Sequence, residues 1–296
     1  MSHLPPDARS WDPGPALRRH LAALAGERSP LGSPERLRAA ESHAEETLRG
    51  AGLVVVREPI AQSQGAWSNV IGDLPAAAPG STAPVFIIGA HIDSVEGTPG
   101  ADDNASGAAA LLALAEWAGA LARRPSSVTL RFAAFNLEEW GMIGSLEHAD
   151  SLYEARRSVE GMISLEMIGY TDSKPGSQKY PPGMSIGRRK TGDFISVVGN
   201  TASRPLIKRV ASALGKGGDL PVETAAIPAA AAFLIGASLS DHSSFWRRGF
   251  PAVMVGDTAF YRNPNYHGAT DTIETLDLLF LEKVTRGLAV LLESMF

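Results

Sequence analysis

PVFIIGA, residues 84–90, decides the fold. An unbroken apolar run of this length suits a central strand covered on both faces, as in a parallel sheet. It ends directly on His91-Ile92-Asp93, so polar chemistry starts where the strand stops. Working outward, further strands are expected at 54–58, 68–72, 128–135, 161–168, 194–199 and 251–256. Helices are expected at 34–50, 105–119, 144–157, 205–214, 241–248 and 277–296. The first of these opens on Ser33-Pro34-Glu35, an N-cap residue, a proline and an acid in the first turn. Strands alternating with helices indicate an α/β protein, a three-layer α/β/α sandwich around a mostly parallel mixed sheet. No internal repeat or long linker interrupts the pattern, so residues 1–296 are expected to form one domain. Residues 171–193 are the longest stretch without periodicity, and such loops often carry function.

Composition excludes several classes. Of 296 residues, 44% are hydrophobic and 20% charged, which is globular rather than disordered. A chain of this length buries enough surface to fold without disulfides or structural metal. Gly 30 and Pro 20 together exceed the roughly 36 that average usage gives, which implies many tight turns. Lys+Arg 27 against Asp+Glu 32 gives a net charge of −5, unlike a nucleic-acid binder with its basic face. There is no Cys, hence no disulfide, thiolate metal site or Cys nucleophile. The opening MSHLPPDARSWDPGP lacks a basic stretch followed by an apolar run, so no signal peptide is expected, and cytoplasmic residence is. No stretch approaches the roughly 18 uninterrupted apolar residues of a membrane helix. No G-x-S-x-G sits at a strand–helix turn, which removes the usual serine-hydrolase reading.

Ligands in open α/β sheets sit beyond the carboxyl ends of the strands. There the sequence offers His91 and Asp93, then Asp102-Asp103-Asn104, Glu138-Glu139, Glu166 and Tyr266-His267. Any one of these alone is more often a structural residue. Together they are five segments of His and carboxylate following apolar strands, and buried carboxylates without partners cost several kcal/mol each. A bound cation reconciles them. Asp93, two residues beyond His91, is placed to accept the other imidazole N–H, and Asp271 is a similar candidate beside His267. Tyr266 is a candidate donor to an oxyanion. Glu138 and Glu139 are expected to point to opposite sides of an extended strand end. Asp102, Ser240 and Asp241 are read as structural and as possible helix caps, the last two near the site.

HIDS, GADDNASG, NLEEWGMIGS, LEMIGY, SDHSSF and YHGATDT resemble the motifs of metallopeptidase family twenty-eight, in the family's order over residues 68–276. These are co-catalytic zinc aminopeptidases of the aminopeptidase Y and bacterial leucyl aminopeptidase type, related to glutamate carboxypeptidase and the glutaminyl cyclases. The resemblance implies a zinc-aminopeptidase (phosphorylase/hydrolase-like) fold and a site holding two Zn²⁺, with Mn²⁺ or Co²⁺ as possible substitutes. His91 and Glu166 would hold one metal, Glu139 and His267 the other, and Asp103 would bridge them. Glu138 would be the general base toward a hydroxide between the metals. Three carboxylates, two divalent cations and one hydroxide sum to zero charge, which suits a partly buried site. Glu166 departs from the Asp more common at its position, which bears on geometry at the substrate's amino end. The implied substrate is a peptide with a free N-terminus. A cyclase-like aminoacyltransferase with a single zinc, or a carboxypeptidase or dipeptidase, are the alternatives on this fold. Neither nucleic acid nor membrane is an expected partner, and oligomeric state is not readable. Residues 225–236 could line a side-chain pocket, and Tyr180, Arg188 and Arg189 could rim the cleft.

Overall fold

The computed structural model describes residues 7–77, 83–181, 185, 187–228 and 236–296. Its centre is an eight-stranded sheet in the order β1-β2-β4-β3-β5-β8-β6-β7. The strands are β1 (Val54–Pro59), β2 (Ser68–Leu74), β3 (Val85–His91), β4 (Thr129–Phe135), β5 (Val159–Glu166), β6 (Ile195–Asn200), β7 (Val222–Ile227) and β8 (Ala252–Gly256). The four-strand core β4-β3-β5-β8 is parallel throughout, and β6 pairs parallel with β7. The outer pairs β1–β2, β2–β4 and β6–β8 are antiparallel.

The helices are α1 (Gly14–Leu24), α2 (Pro34–Gly50), α3 (Gly107–Ala120), α4 (Ile143–Glu154), α5 (Arg204–Gly218), α6 (His242–Arg247) and α7 (Leu278–Glu293). One layer comprises α1, α2, α3, α5 and α7, and the other comprises α4 and α6. Strand β3 shows why PVFIIGA is apolar throughout. Phe86, Ile88 and Ala90 enter the core beneath α3, while Val85 and Ile87 enter the separate core beneath α4 and α6. Among the described residues no helix is long and apolar enough to cross a membrane.

The topology brings the predicted site residues together. From β3 the chain crosses through α3 to β4 on one side, then through α4 to β5 on the other side of β3. The connections leaving β3 and β4 therefore diverge, and a crevice opens at the carboxyl end of β3. His91 ends β3 and Glu166 ends the adjacent parallel strand β5.

Two elements were not anticipated. Helix α1 buries Leu17, His20, Leu21 and Leu24, a helical period that sits behind the Pro13-Gly14-Pro15 break. Strand β7 is an edge strand of half-buried residues, without the apolar run that marks a core strand.

Candidate metal centre

The site is assembled by backbone capture. Asp93 is fully buried, and its two carboxylate oxygens accept the backbone N–H groups of Glu138 and Glu139, each at 3.1 Å. Asp271 does the same for Asp102 and Asp103, at 2.9 and 3.0 Å. One acid thus fixes the turn that carries two glutamates, and another fixes the turn that carries Asp103. For Asp93 this stands beside the imidazole contact expected from sequence; for Asp271 it replaces it. The nearer acceptor for His91 Nδ1 is the Asp93 carbonyl at 3.2 Å, with the carboxylate at 3.5 Å. No hydrogen bond joins Asp271 to His267 among the described contacts; its role is with Asp103.

GADDNASG forms a distorted turn ahead of α3, with a cis peptide between Asp103 and Asn104. Asn104 ties this turn to the end of β5, donating to the Leu165 carbonyl at 2.8 Å and accepting from Met167 N at 3.1 Å. A Cβ at Gly107 would lie 2.5 Å from Asn104 Oδ1 and 2.7 Å from the Leu165 carbonyl, so only glycine admits this contact. Asp102 is structural, as expected, although it caps no helix: it accepts from Gly169 N and Asn263 Nδ2. Glu138 and Glu139 do not continue a strand. Strand β4 stops at Phe135, Leu137 turns at φ +59°, and the pair sits in the following turn.

The side chains converge as follows. His91 Nε2 stands 3.3 Å from Asp103 Oδ1 and 3.6 Å from Glu166 Oε1. His267 Nε2 stands 3.2 Å from Asp103 Oδ2 and 3.4 Å from Glu139 Oε2. Asp103 therefore turns one oxygen to each histidine. His91, Asp103 and Glu166 form one group, and Asp103, Glu139 and His267 another, the ligand atoms of each lying within 4.8 Å of one another. Glu138 joins His91 and Glu139 in a third such group, with its Oε2 4.0 Å from His91 Nε2.

These separations fit a shared cation. Donors held at roughly 2.0–2.1 Å around one tetrahedral zinc stand about 3.3 Å from each other. Ordinary N–H···O hydrogen bonds centre on about 2.9–3.0 Å. His91 Nε2 and Glu139 Oε1 are also buried without a hydrogen-bond partner. Buried polar atoms are normally satisfied, so a cation at this place would meet two donors without another partner.

The electrostatics agree. Burial opposes a charge on His91, yet Glu166 and Glu138 hold its pKa well above the ordinary value. Burial also opposes His267, but Asp103 and Glu139 push it up to about 10. Burial and Asp103 push Glu139 up to about 7. Burial drives Glu138 well above the carboxylate range, reinforced by Glu166, Asp241 and Glu139 against the pull of His91. The cluster holds more negative charge than it can solvate, and its histidines compensate by retaining protons that a divalent cation would displace.

The longer side chain of Glu166 is placed by hydroxyls. Its Oε2 accepts from Ser240 Oγ at 2.7 Å, and Ser240 is 3.0 Å from Ser164 Oγ. Ser240 thus lies at the site, as expected, through a hydroxyl contact to Glu166 rather than as a cap. Asp241 is fully buried, and neither of its oxygens makes a hydrogen bond of good geometry. Burial and Glu166 push its pKa to about 7, against His91 and the Ser145 hydroxyl. Its neighbour His242 has Nε2 2.9 Å from the Ala237 carbonyl.

Tyr266 stacks on His267 with ring centroids 3.7 Å apart. Burial and the surrounding carboxylates, Asp103 first, raise its pKa, so the phenol keeps its proton. Glu166 and Tyr266 also border a cavity partly open to solvent, with Phe194, Val198, Met254 and Phe260 in its walls. Arg188 lies in that wall, paired with Glu223 at 3.2 Å, and Arg189 pairs with Asp193 at 2.9 Å. Tyr180 lines the cavity and donates to the Arg189 carbonyl. Of the expected pocket segment, Ala225, Ile227 and Gly236 line the wall, and residues 229–235 lie outside the described residues.

An α/β/α sandwich with two histidines and three carboxylates at the carboxyl ends of its parallel strands has the architecture of a metallohydrolase. The chain belongs to peptidase family M28, whose model matches residues 69–292. It is 37% identical over 272 residues to the uncharacterized protein YfbL of Escherichia coli, covering 87% of this chain and 80% of that one. It is 30% identical over 221 residues to a probable leucine aminopeptidase of Trichophyton verrucosum, covering 71% of this chain. The chain spans only 52% of that fungal relative's length. The fold matches the LapA aminopeptidase of Legionella pneumophila at TM-score 0.76 and 18% identity, over 97% of this chain and 71% of that one. It also matches the glutaminyl cyclase of Porphyromonas gingivalis at TM-score 0.66 and 18% identity, over 96% of this chain and 98% of that one.

Proposed function

We propose that this peptidase is an aminopeptidase that removes N-terminal residues from peptides with a pair of zinc ions. The observation that carries the reading is the Asp103 carboxylate, which turns Oδ1 to His91 and Oδ2 to His267. His91, Glu166 and Asp103 would hold one ion, and Glu139, His267 and Asp103 the other. Two His and three carboxylates suit zinc, with manganese or cobalt as substitutes. When bound, such a pair polarises the scissile carbonyl and acidifies water. The reading takes the chain as one catalytic domain, because these ligands span His91 to His267 on a single sheet.

The protein's own groups supply the proton transfers. Glu138 lies beside the cluster without completing either bridged group, so its carboxylate is free to act as general base. It takes a proton from the attacking water and returns it to the leaving amine. Tyr266, held protonated and stacked on His267, donates a hydrogen bond to the developing oxyanion. Asp93 acts one step back, by fixing the turn that carries Glu138 and Glu139. The largely apolar cavity bordered by Glu166 and Tyr266 receives the side chain of the N-terminal residue.

The test is a panel of aminoacyl and N-blocked peptide substrates, with and without a chelator. Hydrolysis of free N-termini that the chelator abolishes is expected. Cleavage of blocked peptides but not free ones would sink the reading. A glutaminyl-cyclase-like activity is the second reading, favoured by one observation: the fold accounts for 98% of the Porphyromonas cyclase chain. Cyclisation of N-terminal glutaminyl peptides with one metal per chain would favour it.

A further inference from the structure

Arg28 precedes the part of the chain that matches the family and belongs to no motif of the site. It is nevertheless one of the largest fully buried side chains. Among the described residues no carboxylate pairs with it directly. Its guanidinium donates instead to backbone carbonyls: Nε to Ile92 at 2.8 Å, Nη2 to Gly100 at 2.9 Å, and Nη1 to Pro99 at 3.1 Å, Gly26 at 2.6 Å and Leu24. Burial lowers its pKa to about 10, against the pull of Asp93, Asp103 and Asp271, so it stays charged at neutral pH.

Three of these carbonyls belong to the loop between His91 and Asp103. Ile92 follows one ligand directly, and Gly100 comes three residues before the other. The backbone at Arg28 grips the same loop, its N–H donating to Ser94 Oγ at 2.9 Å and its carbonyl accepting from Ser94 N at 3.2 Å. The loop also reaches the third ligand segment, through Thr98 Oγ1 donating to the Gly268 carbonyl at 3.0 Å. Gly100 turns at φ +58°, and a Cβ there would lie 2.4 Å from the Asp103 carbonyl and 3.0 Å from Arg28 Nη2. No side chain fits between the guanidinium and the turn that carries Asp103.

We propose that Arg28 is a positioning residue of the metal centre: its guanidinium gathers the carbonyls of the Ile92–Gly100 loop and so sets the separation of His91 and Asp103. Asp93 and Asp271 collect N–H groups around the site, and Arg28 collects carbonyls beneath it. The two aspartates hold backbone N–H groups of ligand residues themselves, whereas Arg28 holds carbonyls of the residues that lie between two ligands. A lysine keeps the charge but not the planar fork of five donors.

The inference rests on the metal-site reading above, and its test is read in metal affinity rather than turnover. Zinc dissociation constants are measured by competition with a chromophoric chelator, at a temperature well below unfolding, for the full chain and for Arg28→Lys and Arg28→Met. Leu17→Ala, a cavity in buried α1, serves as the stability control. Loss of partners that orient metal ligands typically weakens binding about 10- to 100-fold, and Arg28→Lys is expected to do so. Leu17→Ala is expected to unfold more easily yet bind zinc as the wild type does. If Arg28→Met fails to fold, Arg28→Lys decides. Wild-type affinity in Arg28→Lys, or equal weakening in Leu17→Ala, overturns the positioning role alone. A wild-type chain that takes up no zinc overturns the proposed function as well.

Discussion

Glu138 and Glu139 are adjacent and held by the same buried aspartate, yet they have different surroundings. Glu139 faces His267 and Asp103. Glu138 faces His91 at the limit of ion-pair distance, with Glu166 and Asp241 raising its pKa. Replacing Glu138 by Gln keeps the shape and removes the base. The variant is expected to bind metal as the wild type does and to lose about 10²- to 10⁴-fold in kcat. Steady-state kinetics with metal analysis on the same sample checks this, and unchanged turnover removes Glu138 as the base. Residue types at the strand ends pointed to a bound cation, and the individual roles came only with the resemblance to the family. The residues that hold the site in place were less legible. Asp271 and Arg28 act on backbone far away in the chain, and Asp241 is significant only because it is buried beside other acids. No spacing encodes those facts.

At the scale of elements, the GADDNASG turn and α1 make separate predictions. Gly107→Ala inserts a Cβ into a contact with Asn104 and Leu165 that has no room for it. Overpacking of this kind costs about 1–3 kcal/mol, which urea unfolding of the metal-free chain would measure. A variant as stable as the wild type would mean that the turn relaxes freely. Helix α1 is fastened to α2 and α3 by a polar chain: His20 Nδ1 lies 2.9 Å from His43 Nε2, and His20 Nε2 lies 3.4 Å from Glu116. Burial, with His20 and Arg19 adding to it, lowers the pKa of His43, against Glu46 and Glu116. A histidine depressed in the folded state contributes its stability above its ordinary value of 6.5 and loses it as pH falls through the folded value. The thermal midpoint is therefore expected to fall below pH 6.5, and to fall less steeply in His43→Gln. Identical slopes would remove His43 as a source of acid sensitivity. Most strands and helices were legible within a few residues, because PVFIIGA and its neighbours carry burial on two faces in their composition. Strand β7 was not, because an edge strand of half-buried residues carries no such signal. The glutamate turn was misread as extended because the positive φ of Leu137 leaves no mark in the residue type.

For the whole molecule, the sheet topology and the metal centre are one problem. The diverging connections at β3 open the crevice, and the segments that line it bring acids the chain cannot solvate. A ligand that binds only the folded chain stabilises it by mass action, about 2.7 kcal/mol at a hundredfold excess over its dissociation constant. Zinc is therefore expected to raise the thermal midpoint of the chelator-stripped chain by several degrees, and no shift would speak against a built site. The net charge of −5 also takes on a different meaning, since part of it lies in the crevice rather than on the surface. The central claim is that Asp103 joins two metal positions, and metal content per chain tests it most directly. Elemental analysis after zinc loading and dialysis is predicted to give two ions per wild-type chain and one per His267→Ala chain. One ion or none in the wild type, or an unchanged count in His267→Ala, would contradict it.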